Sequence, residues 1–326
     1  MDSPSTSQSQ TEIHRIEIGV DWPPGHVAAY LIDADEPILV DAGMDGEESA
    51  TEFEAGLSEA GYTLADIDHL VLTHPHVDHI GQVNAVREAG SPTVYAPVGA
   101  RARLSRDVDD LGATVRRHAS RAGLRGEMLD TVVEQSVNSL ERNRTLLDPD
   151  TVDVWIEDGD EVPVGGVTFR AIHTPGHQAD HLCYDVDIDG EQILFSGDIL
   201  LEPFRSVMIH TGLDTGVEDA VEAFFTALDR LDSLGPRRVF PGHGPTHDRL
   251  HETATRSREN IEEMLAGARA VVADGGTTVL ELAQKRSGDR NFHYVLPEVY
   301  SALSHLEAEG EVQSRVEDGI SYYFVD

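Results

Sequence analysis

The sequence predicts an α/β protein with a helical insertion and a small C-terminal appendage, and three observations predict it. Short apolar runs alternate with segments of helical spacing through residues 13–273, as strands and helices do when they cover one another's apolar faces. Residues 98–147 interrupt this with helical spacing and no strand pattern. Beyond Asp274-Gly275-Gly276, a breaker that marks a boundary, residues 277–326 carry a compact pattern of their own.

Residues 16–20, 28–32 and 38–40 are strand-like, and 46–60 has the spacing of an amphipathic helix. The run Leu70-Val71-Leu72 reads as a buried strand ending at a loop. A helix over 80–89 and a short strand at 94–96 follow. In the insertion, Leu129, Val132, Val133, Val137 and Leu140 recur at helical spacing. Nine of the 23 arginines fall between Arg101 and Arg144 against seven acids, so this segment is locally near +2. Its place between two groups of candidate site residues suits a lid, and equally a helical buttress on the flank of the fold. Strands resume at 152–156 and 167–172, and those at 184–188 and 192–195 flank Asp189-Gly190, a strong hairpin signal. Helices are expected over 216–234 and 247–273, with a strand at 238–240 between them. In the last segment a short helix opens at Thr278. Val295, Leu296, Val299, Leu303 and Leu306 give a second helix one apolar face, Gly310 ends it, and a hairpin turns at Asp318-Gly319.

Acids number 60 against 24 basic residues, a formal charge of −36, and Lys285 is the single lysine. Dense carboxylates hold water and cations, and strong salt screens their repulsion. The balance resembles that of halophile proteins and reflects solvent rather than substrate. The single cysteine, Cys183, excludes an intramolecular disulfide and fits a reducing, cytoplasmic compartment. It lies in a strand pattern and reads as a small buried residue. No apolar run reaches membrane-spanning length. Residues 1–11 are polar and lack a hydrophobic core, so they read as a disordered tail and not a signal peptide.

The densest chemistry is Thr73-His74-Pro75-His76-Val77-Asp78-His79. In an extended segment alternate side chains share a side, which would group His74, His76 and Asp78. His79 would approach from the first turn of the next helix. Neutral imidazole and carboxylate suit zinc and its first-row neighbours, and four such groups crowded on one loop are costly without a cation. Three more candidates follow other strands in Gly- or Pro-marked turns: His177 in His173-Thr174-Pro175-Gly176-His177, Asp198 after Ser196-Gly197, and His243 in Pro241-Gly242-His243-Gly244. Such strand ends are where α/β proteins place their sites.

Taken in order, His-x-His-x-Asp-His, a His, a Gly-Asp and a Pro-Gly-His-Gly resemble the metallo-β-lactamase fold superfamily over roughly residues 13–250. Val40-Asp41-Ala42-Gly43 is similar to that family's first motif. The resemblance implies a four-layer αββα sandwich over residues 12–273 and two metal ions per chain, taken as zinc, with iron or manganese as alternatives. His74, His76 and His177 would hold the first ion; Asp78, His79 and His243 would hold the second; Asp198 would bridge them. Asp41 would orient the ligand loop from behind. His173 and His181 read as supporting residues rather than ligands. His26 in an early loop and His210, twelve positions past Asp198, are pocket candidates. Arg116 and Arg117 of the insertion are candidates for an anionic part of the substrate. The C-terminal pattern resembles a winged helix, and the whole is similar to the glyoxalase II-like and β-lactamase-like protein 2 branch. With nine acids and four bases, residues 277–326 suit a structural role or pairing of two chains in a homodimer better than binding DNA.

Two metal ions sharing a water lower its pKa by many units and polarise the electrophile, so no Ser, Cys or Lys nucleophile is needed. Asp78 and Asp198 are the candidate catalytic carboxylates. The favoured reading is hydrolysis of a small thioester, ester or lactone. The alternative is phosphodiester cleavage of single-stranded RNA, with the arginines of the insertion on the backbone. A mononuclear iron persulfide dioxygenase and a non-catalytic ligand-sensing regulator are minor alternatives; a full set of seven ligands argues against the regulator.

Overall fold

Alternation of side chains along the strands divides the core into layers, and the computed structural model shows it over residues 11–235, 237–288 and 290–325. Of the 1–11 tail, residues 1–10 lie outside the described residues. The chain opens with β1 (Glu12–Gly19), β2 (His26–Asp33), β3 (Ile38–Val40), α1 (Glu47–Glu59), β4 (His69–Val71), α2 (Val77–Ile80), α3 (Val83–Gly90) and β5 (Thr93–Pro97). The insertion forms three helices, α4 (Val98–Leu104), α5 (Val108–Ala122) and α6 (Gly126–Leu146), before β6 (Val154–Ile156). These six strands make one sheet in sequence order, antiparallel from β1 to β3 and parallel from β3 to β6.

The second sheet holds β7 (Glu161–Val164), β8 (Val167–His173), β9 (Leu182–Ile188), β10 (Glu191–Gly197) and, after α7 (Ala220–Asp232), β11 (Arg238–Pro241). Its order is β11-β10-β9-β8-β7. The expected hairpin turn joins β9 to β10, with positive φ at Asp189 (54°) and Gly190 (86°). In β2, Ala28, Tyr30 and Ile32 point between the sheets to meet Phe169, Tyr184 and Phe195. Val27, Ala29 and Leu31 point the other way, toward Phe53 and Leu57 of α1. On the outer face of the second sheet, Ile172, Cys183, Leu194 and Val239 meet α7 and α8 (Leu250–Ala273). Helix, sheet, sheet and helix therefore stack as the four expected layers.

The terminal segment adds β12 (Thr277–Thr278), α9 (Val279–Ser287), α10 (Phe292–Ala308), β13 (Gln313–Glu317) and β14 (Ile320–Phe324), with sheet order β12-β14-β13. Its apolar residues do not close on themselves. Val279, Leu282, Val295, Leu303 and Tyr323 share one continuous cluster with Leu111, Val115 and Val132 of the insertion and Phe224 and Met264 of α7 and α8. No helix among the described residues is long and apolar enough to cross a membrane.

One local expectation is overturned. The ligand loop is extended only through His76; α2 starts at Val77, so Asp78 lies in a helical turn and not on the shared side of an extended segment. The reason is local. His79 N–H and Ile80 N–H both bond the His76 carbonyl, at 2.9 and 3.0 Å. The turn buries Ile80, and a carboxylate in a first helical turn is favoured by the helix dipole.

Candidate metal centre

Parallel pairing brings the candidate residues to one end of the sandwich. Val40 of β3 pairs with Val71 of β4, which sets Asp41 beside Thr73. Gly197 of β10 pairs with Pro241 of β11, which sets Asp198 beside His243. His177 arrives from the loop between β8 and β9. The outcome is two groups, His74, His76, His177 and Asp198 in one and Asp78, His79 and His243 in the other, each with its ligand atoms within 4.8 Å of one another. Asp198 faces both: its Oδ2 lies 3.2 Å from His177 Nε2 and 3.4 Å from His243 Nε2, and its Oδ1 lies 3.2 Å from His79 Nε2. Asp78 Oδ2 lies 3.3 Å from His243 Nε2. Gly242 lets this happen: a Cβ there would sit 2.5 Å from His79 Cε1 and 2.7 Å from Asp198 Oδ1.

The partners behind the rings decide where the protons sit. His177 Nδ1 donates to the Val207 carbonyl at 2.9 Å, and His243 Nδ1 to the His26 carbonyl at 2.7 Å. His79 Nδ1 donates to Asp41 Oδ2 at 2.8 Å. The Thr73 hydroxyl donates to Asp41, so its lone pair takes the proton of His74 Nδ1 at 3.0 Å. With the proton of each ring held on Nδ1, all four would present bare Nε2 atoms to a cation at the centre. His74 Nε2 and His177 Nε2 both face His76 Nδ1, at 3.1 and 3.0 Å. His79 Nε2 and Asp198 Oδ1 are buried without a hydrogen-bond partner. Lone pairs and carboxylates aimed at one another this way fit cations, and the residues present fit metal ions.

Electrostatics agree. Burial, reinforced by neighbouring imidazoles, holds His74 and His76 well below the usual histidine range, and burial lowers His177. These rings stay neutral and ready to bind. Burial also opposes charge on His79 and His243, but Asp198 and the other carboxylates outweigh it, raising His79 well above the usual range and His243 to about 10. Burial disfavours the ionised carboxylates, yet the histidines keep Asp78 down at about 2 and Asp198 well below the ordinary value. Without cations, protons on His79 and His243 neutralise the carboxylates; a cation takes over that role.

The other candidates take varied places. Asp41 binds the loop from behind, accepting from Thr73 N and Oγ1 at 2.8 Å as well as from His79. His181 Nε2 accepts from Asp198 N at 3.0 Å, and His173 Nε2 donates to the Ala179 carbonyl at 2.8 Å. His26 Nε2 accepts from Gly244 N at 3.1 Å. His210 is bonded through its backbone to the ligand loop, N–H to the His177 carbonyl at 2.8 Å. Its buried ring is pushed down to about 4. Arg116 is engaged elsewhere, paired with Asp130 at 2.8 Å on an exposed helix face, and Arg117 reaches Thr114 one turn away. The insertion meets the ligand loops instead through residues that sequence reasoning passed over. Asn143 Nδ2 donates to the Pro75 carbonyl at 2.8 Å. Arg103 of α4 reaches Gln178, next to His177. Asn143 carried no marker in the sequence; Gln178 and Asp180 stood inside a motif read only for its histidines.

The sequence profile of the Metallo-beta-lactamase superfamily matches residues 22–243. The chain belongs to that superfamily. Relatives of the chain carry hydrolase and thioesterase names. A Caenorhabditis elegans beta-lactamase-like protein 2 homolog is 28% identical over 236 residues, 72% of this chain and 60% of that protein. The chain therefore spans less than two thirds of that relative. An atrochrysone carboxyl ACP thioesterase of Cryptosporiopsis sp. is 24% identical over 309 residues, 89% of this chain and 77% of that one. The crystal structure of a metallo-beta-lactamase family protein from Thermus thermophilus matches with a TM-score of 0.80 at 23% identity, over 96% of this chain and 98% of that one. At that identity the likeness shows a shared fold.

Proposed function

We propose that this superfamily member is a dinuclear zinc hydrolase acting on a small thioester, ester or lactone. The observation that carries the reading is the convergence of seven donors in two groups with Asp198 facing both. His74, His76 and His177 would hold one ion, Asp78, His79 and His243 the other, and Asp198 would lie between. The ions would supply Lewis acidity and an activated water near neutral pH. The chain's own residues do the rest. Asp41, Val207 and His26 fix the ring protons away from the centre. Asp78 and Asp198 stay ionised, and either would accept a hydrogen bond that orients the attacking water.

The thioesterase-named relative supports a thioester substrate, and Arg116, a candidate for a phosphate backbone, is paired with Asp130 instead. Residues 277–326, whose pattern we read as a winged helix, would serve as a brace through the shared core rather than as a nucleic-acid reader. The test is a screen of zinc-loaded protein in molar KCl against acyl-thioesters, lactones, bis-p-nitrophenyl phosphate and single-stranded RNA. Turnover of a thioester or lactone is expected, lost with chelator and restored by zinc. RNA cleavage without acyl hydrolysis would replace this reading with a nuclease.

A further inference from the structure

The Gln178 amide stands between two partners that make opposite demands on it. One end lies 2.7 Å from His76 Nε2; the other lies 2.5 to 3.1 Å from the three nitrogens of Arg103. A guanidinium only donates, so Arg103 asks for the Gln178 carbonyl. His76 asks for it as well. Its Nδ1 faces the bare Nε2 atoms of His74 and His177, so a cation held among them requires Nδ1 without a proton. The neutral ring then carries its proton on Nε2, and that N–H needs the same carbonyl.

Asp180 removes the conflict. It is buried, 5% exposed, under Gly99 of α4, where a Cβ would lie 2.7 Å from Asp180 Cβ. Neither of its oxygens has a hydrogen-bond partner, a costly state for a carboxylate. Arg103 and the Gln178 amide both lie near enough to act on its charge, outside hydrogen-bond geometry. With the Gln178 carbonyl facing His76, as in this structure, the amide N–H2 crowds the Arg103 nitrogens and Asp180 is still unbonded; turning both donors onto Asp180 would give every group a partner. With the carbonyl turned to Arg103, the amide donates to His76 Nε2. The ring proton then sits on Nδ1, shared with His74 and His177, and the Gln178 amide has no N–H to turn toward Asp180.

We propose that Gln178 and Asp180 are positioning residues that select the His76 tautomer able to hold a cation on Nδ1, with Arg103 of the insertion as their counter-charge. This rests on His76 being a ligand, as read under Proposed function. It also gives the insertion a part in the metal centre, because α4 supplies the positive charge that opposes the cost of burying Asp180 beneath the ligand loop.

The experiment uses the full chain and zinc alone, in competition with a chromophoric chelator, for Asp180→Ala, Gln178→Leu and the double variant. Cobalt absorption reports the geometry of the occupied site. Each single variant should bind one of the two ions about tenfold or more weakly and leave the other unchanged. The double variant should lose no more than the worse single one, because both act through one tautomer. In chelator, Asp180→Ala should unfold at the same denaturant concentration as the parent or a higher one, since the Gln178 carbonyl then turns to Arg103 and a carboxylate that is costly to bury is gone. A residue needed only for packing would lower stability and affinity together. Parent-like zinc affinity in both variants, additive losses, or an Asp180→Ala protein that is less stable in chelator would each overturn the proposal. A parent that binds no zinc would instead refute the metal-centre reading beneath it.

Discussion

Asp41 sets the lone pairs of the centre from behind, and Asp41→Asn isolates that role. The residue is buried with φ at 59°, and three donors reach its oxygens at 2.8 Å: Thr73 N, Thr73 Oγ1 and His79 Nδ1. Asn keeps the shape and tolerates positive φ. Its oxygen can still accept from Thr73 N, but its N–H2 meets the His79 Nδ1–H donor to donor. His79 must then move its proton to Nε2, which closes the lone pair facing Asp198. A hydrogen bond to a charged group contributes about 1.5–3 kcal/mol, equivalent to roughly 10- to 150-fold in zinc affinity. Asp41→Ala should be worse: it leaves Thr73 N unpaired, about 1–3 kcal/mol more, and puts Ala at positive φ, about 1–2 kcal/mol more. Chelator competition measures the affinity, and thermal unfolding with zinc measures the stability. An Asp41→Asn protein that binds two zinc ions as tightly as the parent would refute the proton placement.

Three further outcomes follow from the same geometry. Asp198→Ala removes the carboxylate facing both groups, so it should retain at most one ion by elemental analysis and lose hydrolysis; two ions with full activity would rule out a bridging role. In chelator, His243 and His79 bind protons more tightly folded than unfolded, so their stabilisation is complete below a pH of about 6.5. It should fade as pH rises through about 10 for His243, and a denaturation midpoint constant from pH 6.5 to 10.5 would contradict this. Glu298→Ala deletes a fully buried carboxylate bonded to Arg205 at 2.9 Å and Arg290 at 3.1 Å. It should cost about 3–5 kcal/mol of unfolding free energy, whereas a loss under about 1 kcal/mol would mean that water serves the arginines as well.

The ligand candidates were legible because each sits where an apolar run stops at a Gly, Pro or Asp, and such a stop is visible in one dimension. The start of α2 at Val77 was not. It depends on Ile80 finding a buried place that the sequence does not mark. β7 was missed because it is short and edge-like, with Pro163 inside it and exposed positions alternating with buried ones. The arginines of the insertion were counted correctly but aimed wrongly. Charge per segment says nothing of which helix face meets the site, and Arg103 meets it while Arg116 pairs with Asp130. The pairing of the terminal segment with the insertion was likewise hidden, since apolar stripes on α5 and α10 show that each needs a cover but not that they share one.

That shared cover sets an order of events during synthesis. Arg121 of α5 bonds Ser321 of β14, 200 residues further on, and the apolar faces of α5 and α6 close against the same late segment. At roughly 5–20 residues per second, the ribosome needs about 10–40 s to make that distance. Through that interval α5 and α6, the latter bearing Asn143, stand without their outer support. Nascent chains halted before residue 320 should therefore be cut by protease within residues 108–146, where the finished chain resists. The candidate ligand loops are complete by His243, but α5 and α6 gain their cover only once β14 is made.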